Sequence, residues 1–173
     1  KNILILGNGG REDAIMDILY QKNSNIYCEC SVKEEFWIIK EMCVRSNIDL
    51  VIPSTEVYLC EGITDFLQSE IENINVFGPT KEQAKIEGSK HFSKKLMKEL
   101  NIPTSKFVFF NTYLSALKYC STIDTVETVI KYSGLAKGKG VFLPQTKHEA
   151  QKIIENIFNE NWNIECGILI EDR

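Results

Sequence analysis

Short apolar runs alternate with amphipathic stretches through the first part of the chain. The runs predict four β-strands, at Asn2–Leu6, Ile26–Cys30, Asp49–Pro53 and Asn75–Phe77. The stretches between them predict helices that begin near Arg11 and that cover Glu34–Arg45 and Tyr58–Glu72. Because strands and helices alternate through short turns, we predict a parallel sheet with right-handed crossovers. Ligands of such sheets lie beyond the carboxyl ends of the strands.

Two adjacent helices and a proline separate this part from the next. Thr80–Gly88 begins with a capping box, and Ser89–Leu100 repeats apolar residues at four-residue spacing. The segment Asn101–Pro103 ends the second helix, and we place a domain boundary there, between residues 1–103 and 104–173. The later elements are predicted at Lys106–Phe110, Thr112–Tyr119, Thr128–Lys131, Val141–Leu143 and Cys166–Ile170, with a last helix capped by Thr146 and Glu149.

Composition argues against several classes of function. The chain has 173 residues and a net charge of −4 with a pI near 5.3, so general binding to nucleic acid or to anionic membranes is not expected. The apolar runs are too short to span a bilayer, and the opening run is too short for a signal-peptide core. The six cysteines, among them Cys28-Glu-Cys30, lack a zinc-site spacing. We expect a cytoplasmic protein with reduced thiols and small-molecule ligands.

A glycine-rich basic loop, Gly134-Leu-Ala-Lys-Gly-Lys-Gly140, lies between two predicted strands. Glycines let backbone N–H groups approach anionic oxygens, and lysines at positions 131, 137 and 139 supply positive charge for phosphate. The loop is not of the Walker type, because no Gly-Lys-Ser/Thr sequence leads into a helix. The pattern indicates a hairpin that folds over a polyphosphate. The alternative is a β-hairpin with a solvated basic turn.

A second candidate anion site is the first strand–helix turn, Gly7-Asn-Gly-Gly10. A glycine turn before a helix favours an anion, but the third glycine of the dinucleotide fingerprint is missing, so NAD is not indicated. A phosphate-bearing small molecule fits better, and the alternative is a tight turn without a ligand. Glu56 follows the third strand and faces the same edge, unless it is an ordinary solvated carboxylate. Lys90 opposes the dipole of its helix, as a phosphate-binding lysine would.

Six motifs occur in order along nearly the whole chain. They are Gly7-Asn-Gly-Gly-Arg-Glu12, Phe77-Gly-Pro-Thr80, Glu87-Gly-Ser-Lys90, Ile102-Pro-Thr104, Val129-Ile-Lys131 with the loop to Val141, and Ile168-Leu-Ile-Glu171. Together they resemble the phosphoribosylamine–glycine ligase family of the ATP-grasp superfamily. Related ATP-grasp enzymes share the fold and a pair of lysines that corresponds to Lys90 and Lys131. The first motif and the Gly-Ser-Lys and Gly-Lys-Gly sequences favour this family in particular.

The resemblance implies an α/β fold: a Rossmann-like parallel-sheet domain, then an incomplete first lobe of an ATP-grasp domain. It implies that ATP, with Mg²⁺ or Mn²⁺, drives the joining of glycine to 5-phosphoribosylamine in purine biosynthesis through an acyl phosphate. The implied ATP-binding residues are Lys90, Lys131, Gly134, Lys137, Gly138, Lys139, Gly140, Glu171 and Asp172. Those implied for phosphoribosylamine are Gly7, Asn8, Gly9, Gly10, Arg11, Glu12 and Glu56. No catalytic residue and no metal ligand is assigned within the chain.

Several positions depart from the family pattern. Asp13 replaces a histidine, Tyr132-Ser133 replaces Ala-Asp, Ser54-Thr-Glu-Val57 replaces Pro-Glu-Ala-Pro, and a Pro-Gly-Asn loop after the second strand is absent. The chain also ends before the second ATP-grasp lobe, so we expect these 173 residues by themselves to be inactive. Two alternatives stay open: a non-catalytic nucleotide-binding or scaffold domain, and an ATP-grasp ligase with a different amine. Whether the protein is fused to other purine-pathway domains also stays open.

Overall fold

The computed structural model describes residues 1–22, 24–29, 36–159 and 162–173. Its chain divides into two compact units, Lys1–Lys85 and Ile86–Arg173. This division precedes the boundary expected at Pro103, because helix α6 (Lys90–Glu99) packs against the last strand of the second unit. Lys90 and Lys131 therefore both belong to the second unit.

The first unit is built on a parallel sheet, as predicted. Its strands are β1 (Asn2–Leu6), β2 (Asn25–Glu29), β3 (Leu50–Pro53) and β4 (Asn75–Val76). They lie in the order β2-β1-β3-β4, and each of these pairings is parallel. The helices are α1 (Gly10–Tyr20), α2 (Phe36–Arg45), α3 (Glu56–Glu61) and α4 (Ile63–Glu70), followed by α5 (Lys81–Gly88). Leu6 pairs with Pro53, so β1 and β3 end side by side.

The core of the first unit lies between the sheet and the helices α2, α3 and α4. Leu4 and Leu6 of β1 and Val51 of β3 meet the side chains that these helices bury, which are Ile39, Cys43, Tyr58, Ile63 and Leu67. Each large apolar side chain contributes about 1.5–3 kcal/mol when it is fully buried rather than exposed. This layer therefore fixes the carboxyl ends of β1 and β3.

Some predicted elements of the first unit differ from the structure. The helix predicted at Tyr58–Glu72 is broken at Gly62, whose φ of 97° is a left-handed conformation that ends α3. The helix predicted to begin near Arg11 was expected to be amphipathic, but its Ile18 is 62% exposed and Glu12 is its buried residue. The predicted end of the second strand, Cys30, and the predicted start of the second helix lie outside the described residues.

The second unit is built on an antiparallel sheet. Its strands are β5 (Phe107–Phe110), β6 (Thr128–Tyr132), β7 (Val141–Phe142) and β8 (Ile168–Asp172), in the order β5-β8-β6-β7. Besides α6 it contains α7 (Tyr113–Thr122) and α8 (Lys147–Asn159), with 3₁₀ turns at Thr125–Glu127 and Ile164–Cys166. The predicted end of the last strand at Ile170 is wrong, because pairing with β5 and β6 continues to Glu171 and Asp172.

The core of the second unit lies between one face of this sheet and the helices α7 and α8. Ile130 of β6 and Ile168 of β8 are fully buried there. Helix α8 packs on this core through the buried side chains of Ala150, Ile154 and Ile157. The predicted cap of this helix also forms, with the Glu149 N–H donating to the Thr146 Oγ1 at 3.1 Å.

Two other findings concern expectations drawn from composition. Among the described residues, no helix has both the length and the apolar character needed to cross a bilayer. Cys43 and Cys120 are buried in the cores of the first and the second unit respectively. Burial raises the pKa of the Cys43 thiol to about 11, so this side chain packs as a small neutral apolar group.

Candidate functional site

The predicted ATP-binding residues Lys131 and Glu171 lie on the sheet face that α6 contacts. Strand side chains alternate between faces, so these two residues point away from the core that holds Ile130 and Ile170. In the antiparallel register Lys131 pairs with Leu169, which places Glu171 diagonally across from Lys131. The Lys131 Nζ lies 2.8 Å from the Glu171 Oε2. Two residues predicted from separate motifs therefore form one ion pair.

Two further residues join this ion pair, and the sequence did not predict either of them for the site. The Nζ of Lys94, on α6, lies 2.9 Å from the same Glu171 Oε2, and the Ser105 Oγ donates to that oxygen at 2.9 Å. The Lys94 Nζ also lies 2.8 Å from the Thr104 Oγ1 and 2.8 Å from the Ser105 Oγ. A signal for Lys94 exists in the sequence, because it follows Lys90 by four positions and so shares its helix face.

Glu171 is a buried carboxylate that stays ionised. Burial by itself would raise the pKa of this carboxyl, but hydrogen bonds from Lys131, Lys94 and Ser105 outweigh burial and hold the pKa below its usual range. The second oxygen, Oε1, is buried and has no hydrogen-bond partner among the described residues. A buried acceptor without a donor costs about 1–3 kcal/mol. A donor group brought within reach of this atom would therefore remove that cost.

Lys90 begins α6, and the N-terminus of this helix is already capped. The Lys90 N–H donates to the Ser133 carbonyl at 2.8 Å, the His91 N–H donates to the Ser133 Oγ at 3.1 Å, and the Ser89 Oγ caps the next N–H. A helix N-terminus binds an anion with the backbone N–H groups of its first turn, and here those groups already have partners. The group left for an anion is the Lys90 ammonium, whose Nζ donates to the Gly134 carbonyl at 3.1 Å. Burial lowers the pKa of Lys90.

A cavity of about 290 Å³ brings these side chains together. Lys90, Lys94, Lys131 and Glu171 line it, together with Met97 and Val141. The structure thus unites three of the predicted ATP-binding residues, Lys90, Lys131 and Glu171, around one space. Asp172 does not line this cavity. It is exposed, and it follows Glu171 in β8, so its side chain points to the other face of the sheet.

The glycine-rich loop has packed ends and an open tip. A Cβ at Gly134 would lie 2.8 Å from a neighbouring side chain, and a Cβ at Gly140 would lie 2.7 Å from another. The tip is left-handed, with φ of 49° at Lys137 and 79° at Gly138, and no described heavy atom lies within 4 Å of a Cβ built at Gly138. The exposed residues of the tip are Lys137, Gly138 and Lys139. The loop can therefore approach a ligand with its tip while its ends stay fixed.

Two of the departures from the family pattern, Tyr132 and Ser133, have structural roles. Tyr132 is buried, and its ring centroid lies 4.5 Å from that of Trp162. Ser133 is buried beside it and caps α6 with both its carbonyl and its hydroxyl. Ser133 thereby connects the end of β6, which carries Lys131, to the start of α6, which carries Lys90.

The residues predicted to bind phosphoribosylamine lie at one edge of the sheet in the first unit. The turn 7–10 follows β1, and residues 54–56 follow β3. The Ser54 N–H donates to the Leu6 carbonyl at 3.0 Å, and the Arg11 Nη1 donates to the Ser54 carbonyl. Asn8, Gly9 and Gly10 are exposed, and Glu56 is partly exposed at the start of α3. The two turns predicted for the substrate are therefore neighbours.

Glu12 occupies part of this edge itself. Its buried carboxylate accepts a hydrogen bond from the Gly9 N–H, with 2.5 Å between nitrogen and Oε2, in the position where a glycine turn binds an anion. A Cβ at Gly7 would lie 2.9 Å from the Glu12 Oε1. Burial acts to raise the pKa of Glu12, but hydrogen bonds, including that from Gly9, lower it. The Gly9 N–H therefore already donates to Glu12 and not to a ligand. Arg11 supplies positive charge at this edge.

Comparison with known families accounts for both units. The sequence profile described as "Phosphoribosylglycinamide synthetase, N domain" matches residues 1–87. The profile described as "Phosphoribosylglycinamide synthetase, ATP-grasp (A) domain" matches residues 88–173. The chain belongs to the phosphoribosylglycinamide synthetase family. The resemblance predicted from the six motifs is confirmed, and the boundary between the two matches falls within α5.

Individual relatives of this synthetase family are longer than the chain. A phosphoribosylamine–glycine ligase of Caldanaerobacter subterraneus subsp. tengcongensis is 39% identical over 88% of this chain and 40% of that protein. A ligase of the same name from Fusobacterium nucleatum is 35% identical over 98% of this chain and 43% of that protein. The "bifunctional purine biosynthetic protein PUR2,5" of Pichia angusta is 37% identical over 90% of this chain and 22% of that protein. The chain spans less than half the length of these relatives.

Solved structures give the same fold. The crystal structure of phosphoribosylamine–glycine ligase from Thermotoga maritima aligns with a TM-score of 0.72 and 26% identity, over 100% of this chain and 44% of that chain. The biotin carboxylase domain of the Hydrogenobacter thermophilus 2-oxoglutarate carboxylase, solved with MgADP, aligns with a TM-score of 0.77 and 16% identity, over 100% of this chain and 44% of that chain. The second similarity concerns the fold alone. The predicted fold class, a parallel-sheet domain followed by part of an ATP-grasp domain, is confirmed.

Proposed function

We propose that the protein is an ATP-dependent ligase that joins glycine to 5-phosphoribosylamine and yields glycinamide ribonucleotide, ADP and phosphate. The observation that carries this proposal is the match of both units to this synthetase family, together with the cavity lined by Lys90, Lys131 and Glu171. In the proposed reaction the γ-phosphoryl group of ATP passes to the glycine carboxylate. The amine of phosphoribosylamine then attacks the acyl phosphate, and phosphate leaves.

The groups of the cavity match the groups of ATP. Lys90 and Lys131 present ammonium groups, which bind phosphate oxygens as compact positive charges. The Glu171 Oε1 receives no hydrogen bond from the described residues, and the exocyclic amine of adenine can donate one. Asp172 follows on the same strand, and because its side chain points to the other face of the sheet, we propose that only its backbone lies beside the base. A site that offers cations at one part and an unpaired carboxylate oxygen at another suits a molecule with phosphates and an amine.

The glycine-rich loop is proposed to close over the β- and γ-phosphates. Its exposed tip residues, Lys137, Gly138 and Lys139, offer backbone N–H groups and two ammonium groups to the same anion. Gly134 and Gly140 hold the ends in place through close packing. This arrangement lets the tip move while the attachment of the loop to β6 and β7 stays unchanged.

A divalent cation, Mg²⁺ or Mn²⁺, is proposed to accompany ATP. The biotin carboxylase of the same fold was solved with MgADP, which supports this use. Within the described ranges, His, Cys, Asp and Glu side chains form no group of three or more that could hold a metal ion, so no metal ligand is assigned there. The contribution of this chain is that Lys90 and Lys131 neutralise charge on the phosphate oxygens they contact.

Phosphoribosylamine is proposed to bind at the edge formed by residues 7–12 and Glu56. The Arg11 guanidinium supplies charge for its phosphate, and the exposed Asn8 and Gly10 leave polar groups accessible beside it. Glu12 shapes the turn by holding the Gly9 N–H. We also propose a cytoplasmic location, because the substrates are soluble metabolites. The bifunctional Pichia relative supports fusion to other purine-pathway domains as one arrangement of such a protein.

The test uses the full-length protein. ATP affinity and ADP formation that depends on glycine and phosphoribosylamine are measured for the wild type, Lys90→Met, Lys131→Met and a control, Lys95→Met. Lys95 lies on the same helix but is exposed and makes a long ion pair of 3.9 Å. Since a charge-assisted contact is worth about 1.5–3 kcal/mol, each cavity mutant should bind ATP about ten- to a hundred-fold more weakly, and the control should not.

The outcomes separate the proposal from its alternatives. ATP binding without glycine-dependent turnover by the wild type would indicate a non-catalytic nucleotide-binding domain. Turnover with a different amine would indicate another ATP-grasp ligase. An unchanged dissociation constant in Lys90→Met or in Lys131→Met would remove that lysine from the site.

A further inference from the structure

We infer that Lys94 is a positioning residue that holds Glu171 in the orientation with which it selects an adenine base. This inference rests on the proposed function, since it assumes that the cavity binds a nucleotide. It concerns a residue that the six motifs do not assign to any ligand.

The fixed position of Lys94 supports this role. Its side chain is 12% exposed, whereas that of Lys131 is 27% exposed. Its ammonium group lies within 2.9 Å of three oxygens, on Glu171, Thr104 and Ser105. An ammonium group has three donors, so these contacts use its full capacity. Lys94 has no donor left for a phosphate and therefore acts as a support rather than as a ligand-binding cation.

The contacts of the Glu171 carboxylate are strongly unequal. Oε2 accepts hydrogen bonds from Lys94, Lys131 and Ser105 at 2.8–2.9 Å. Oε1 has no hydrogen-bond partner among the described residues. The two oxygens of an ionised carboxylate are equivalent, so a half-turn about the last bond restores the same arrangement, whereas a smaller rotation weakens all three contacts. The donors on Oε2 therefore determine where Oε1 is held as an acceptor.

Lys131 cannot keep this orientation by itself if it also binds phosphate. When its ammonium group turns toward a phosphate oxygen, its contact with Oε2 is weakened. Lys94 and Ser105 come from α6 and from the segment before β5, and their contacts do not depend on Lys131. Lys94 thus keeps Glu171 in place while Lys131 serves the nucleotide.

A fixed carboxylate oxygen distinguishes purine bases by their substituent. An ionised carboxylate only accepts hydrogen bonds, so it pairs with the amine of adenine and repels the carbonyl oxygen of hypoxanthine. A site built to hydrogen-bond one group discriminates strongly against an analogue that lacks it, because its buried polar group is then left unpaired. If the oxygen is free to move, the discrimination falls.

The experiment measures dissociation constants of ATP and inosine triphosphate with the full-length protein. The variants are Lys94→Met, Lys94→Arg, which restores a cation, and the exposed control Lys95→Met. The wild type should prefer ATP, Lys94→Met should reduce the ratio of the two constants by about ten-fold, and Lys94→Arg should recover part of the preference. Lys95→Met should keep the wild-type ratio. Should Lys94→Met fail to fold, Ser105→Ala removes another donor to Oε2, and the ratio is expected to fall in the same direction.

The ratio of the dissociation constants for ATP and inosine triphosphate separates a positioning role of Lys94 from a merely structural one. Equal weakening of both nucleotides in Lys94→Met, with an unchanged ratio, would overturn the inference while leaving the proposed function intact. A wild type that binds both nucleotides equally well would also overturn it, because Glu171 would then select no base. A wild type that binds neither nucleotide would overturn the proposed function itself.

Discussion

Replacing Glu171 by glutamine tests whether one buried charge holds α6 to the sheet of the second unit. Glutamine keeps the size of the side chain and removes its charge. The ammonium groups of Lys94 and Lys131, at 2.9 and 2.8 Å from the same oxygen, then lose their shared anion. Removing one partner of a buried ion pair costs about 3–5 kcal/mol. Lys131 can turn toward water and Lys94 keeps two hydroxyl contacts, so we expect the lower value of about 2–3 kcal/mol.

Native-state hydrogen exchange of the amides in β5, β6 and β8 measures this loss without requiring that the whole protein unfold in one step. The measurement is made without nucleotide, so that ligand binding does not contribute. The control is Glu99→Gln, because Glu99 forms an exposed pair with Lys95 at 3.9 Å. Exposed pairs of this kind contribute about 0–1 kcal/mol, so the control should change exchange little. A Glu171→Gln effect as small as that of the control would refute the reasoning.

The stabilisation that the Glu171 charge contributes should depend on pH in a definite direction. The folded-state pKa of Glu171 lies below its unfolded value, so the unfolded state binds the proton more readily than the folded state. The stabilisation by the charge is complete above the unfolded pKa and is lost as the pH falls through the folded pKa. The difference between the wild type and Glu171→Gln should therefore be constant near neutral pH and shrink in acid. A difference that grows as the pH falls would contradict this assignment.

Three further predictions concern the loop and the substrate edge. Asp13→His should lower the KM for phosphoribosylamine in the full-length protein, because it removes an exposed negative charge two positions after Arg11; an unchanged KM would show that residue 13 does not face the site. The amides of residues 137–139 should exchange faster than those of β6 without nucleotide and slow when ATP binds, since the tip has little to pack against; equal rates would argue against a mobile loop. Gly134→Ala should destabilise the second unit more than Gly138→Ala, because the new Cβ at Gly134 would lie 2.8 Å from a ring. At Gly138 the cost is only backbone strain of about 1–2 kcal/mol. The reverse order would contradict the packing described.

Local patterns predicted the elements on which the site is built. Apolar runs predicted both β6 and β8, and the two-residue repeat of a strand then places Lys131 on the face opposite to Ile130. The capping box of α8 involves residues three positions apart and is visible in the sequence. Gly62, by contrast, lies inside the single helix predicted at Tyr58–Glu72, although a glycine in that position is a local signal for a helix end.

Contacts between distant positions could not be predicted from such patterns. Ser105 and Glu171 are 66 positions apart, and nothing in either segment indicates that α6 packs where its Lys94 meets the same carboxylate. The course of the chain between Ser89 and Ser133 likewise determines that the N-terminus of α6 is capped rather than open. These contacts depend on how α6 lies against the sheet, and that is decided by packing of the whole unit.

The sequence by itself determined the family, the parallel sheet of the first unit, the hairpin that carries the glycine-rich loop, and the lysines and glycines suited to phosphate, because motifs and periodicity are properties of neighbouring residues. Only the tertiary structure decided which of these groups are available to a ligand. It showed that the Gly9 N–H donates to Glu12, that Ser133 caps the start of α6, and that one Glu171 oxygen has no hydrogen-bond partner within the part of the chain that the structure describes. The physical reason is that hydrogen-bonding capacity is used up by whichever partners the fold brings near, and those partners come from distant parts of the chain.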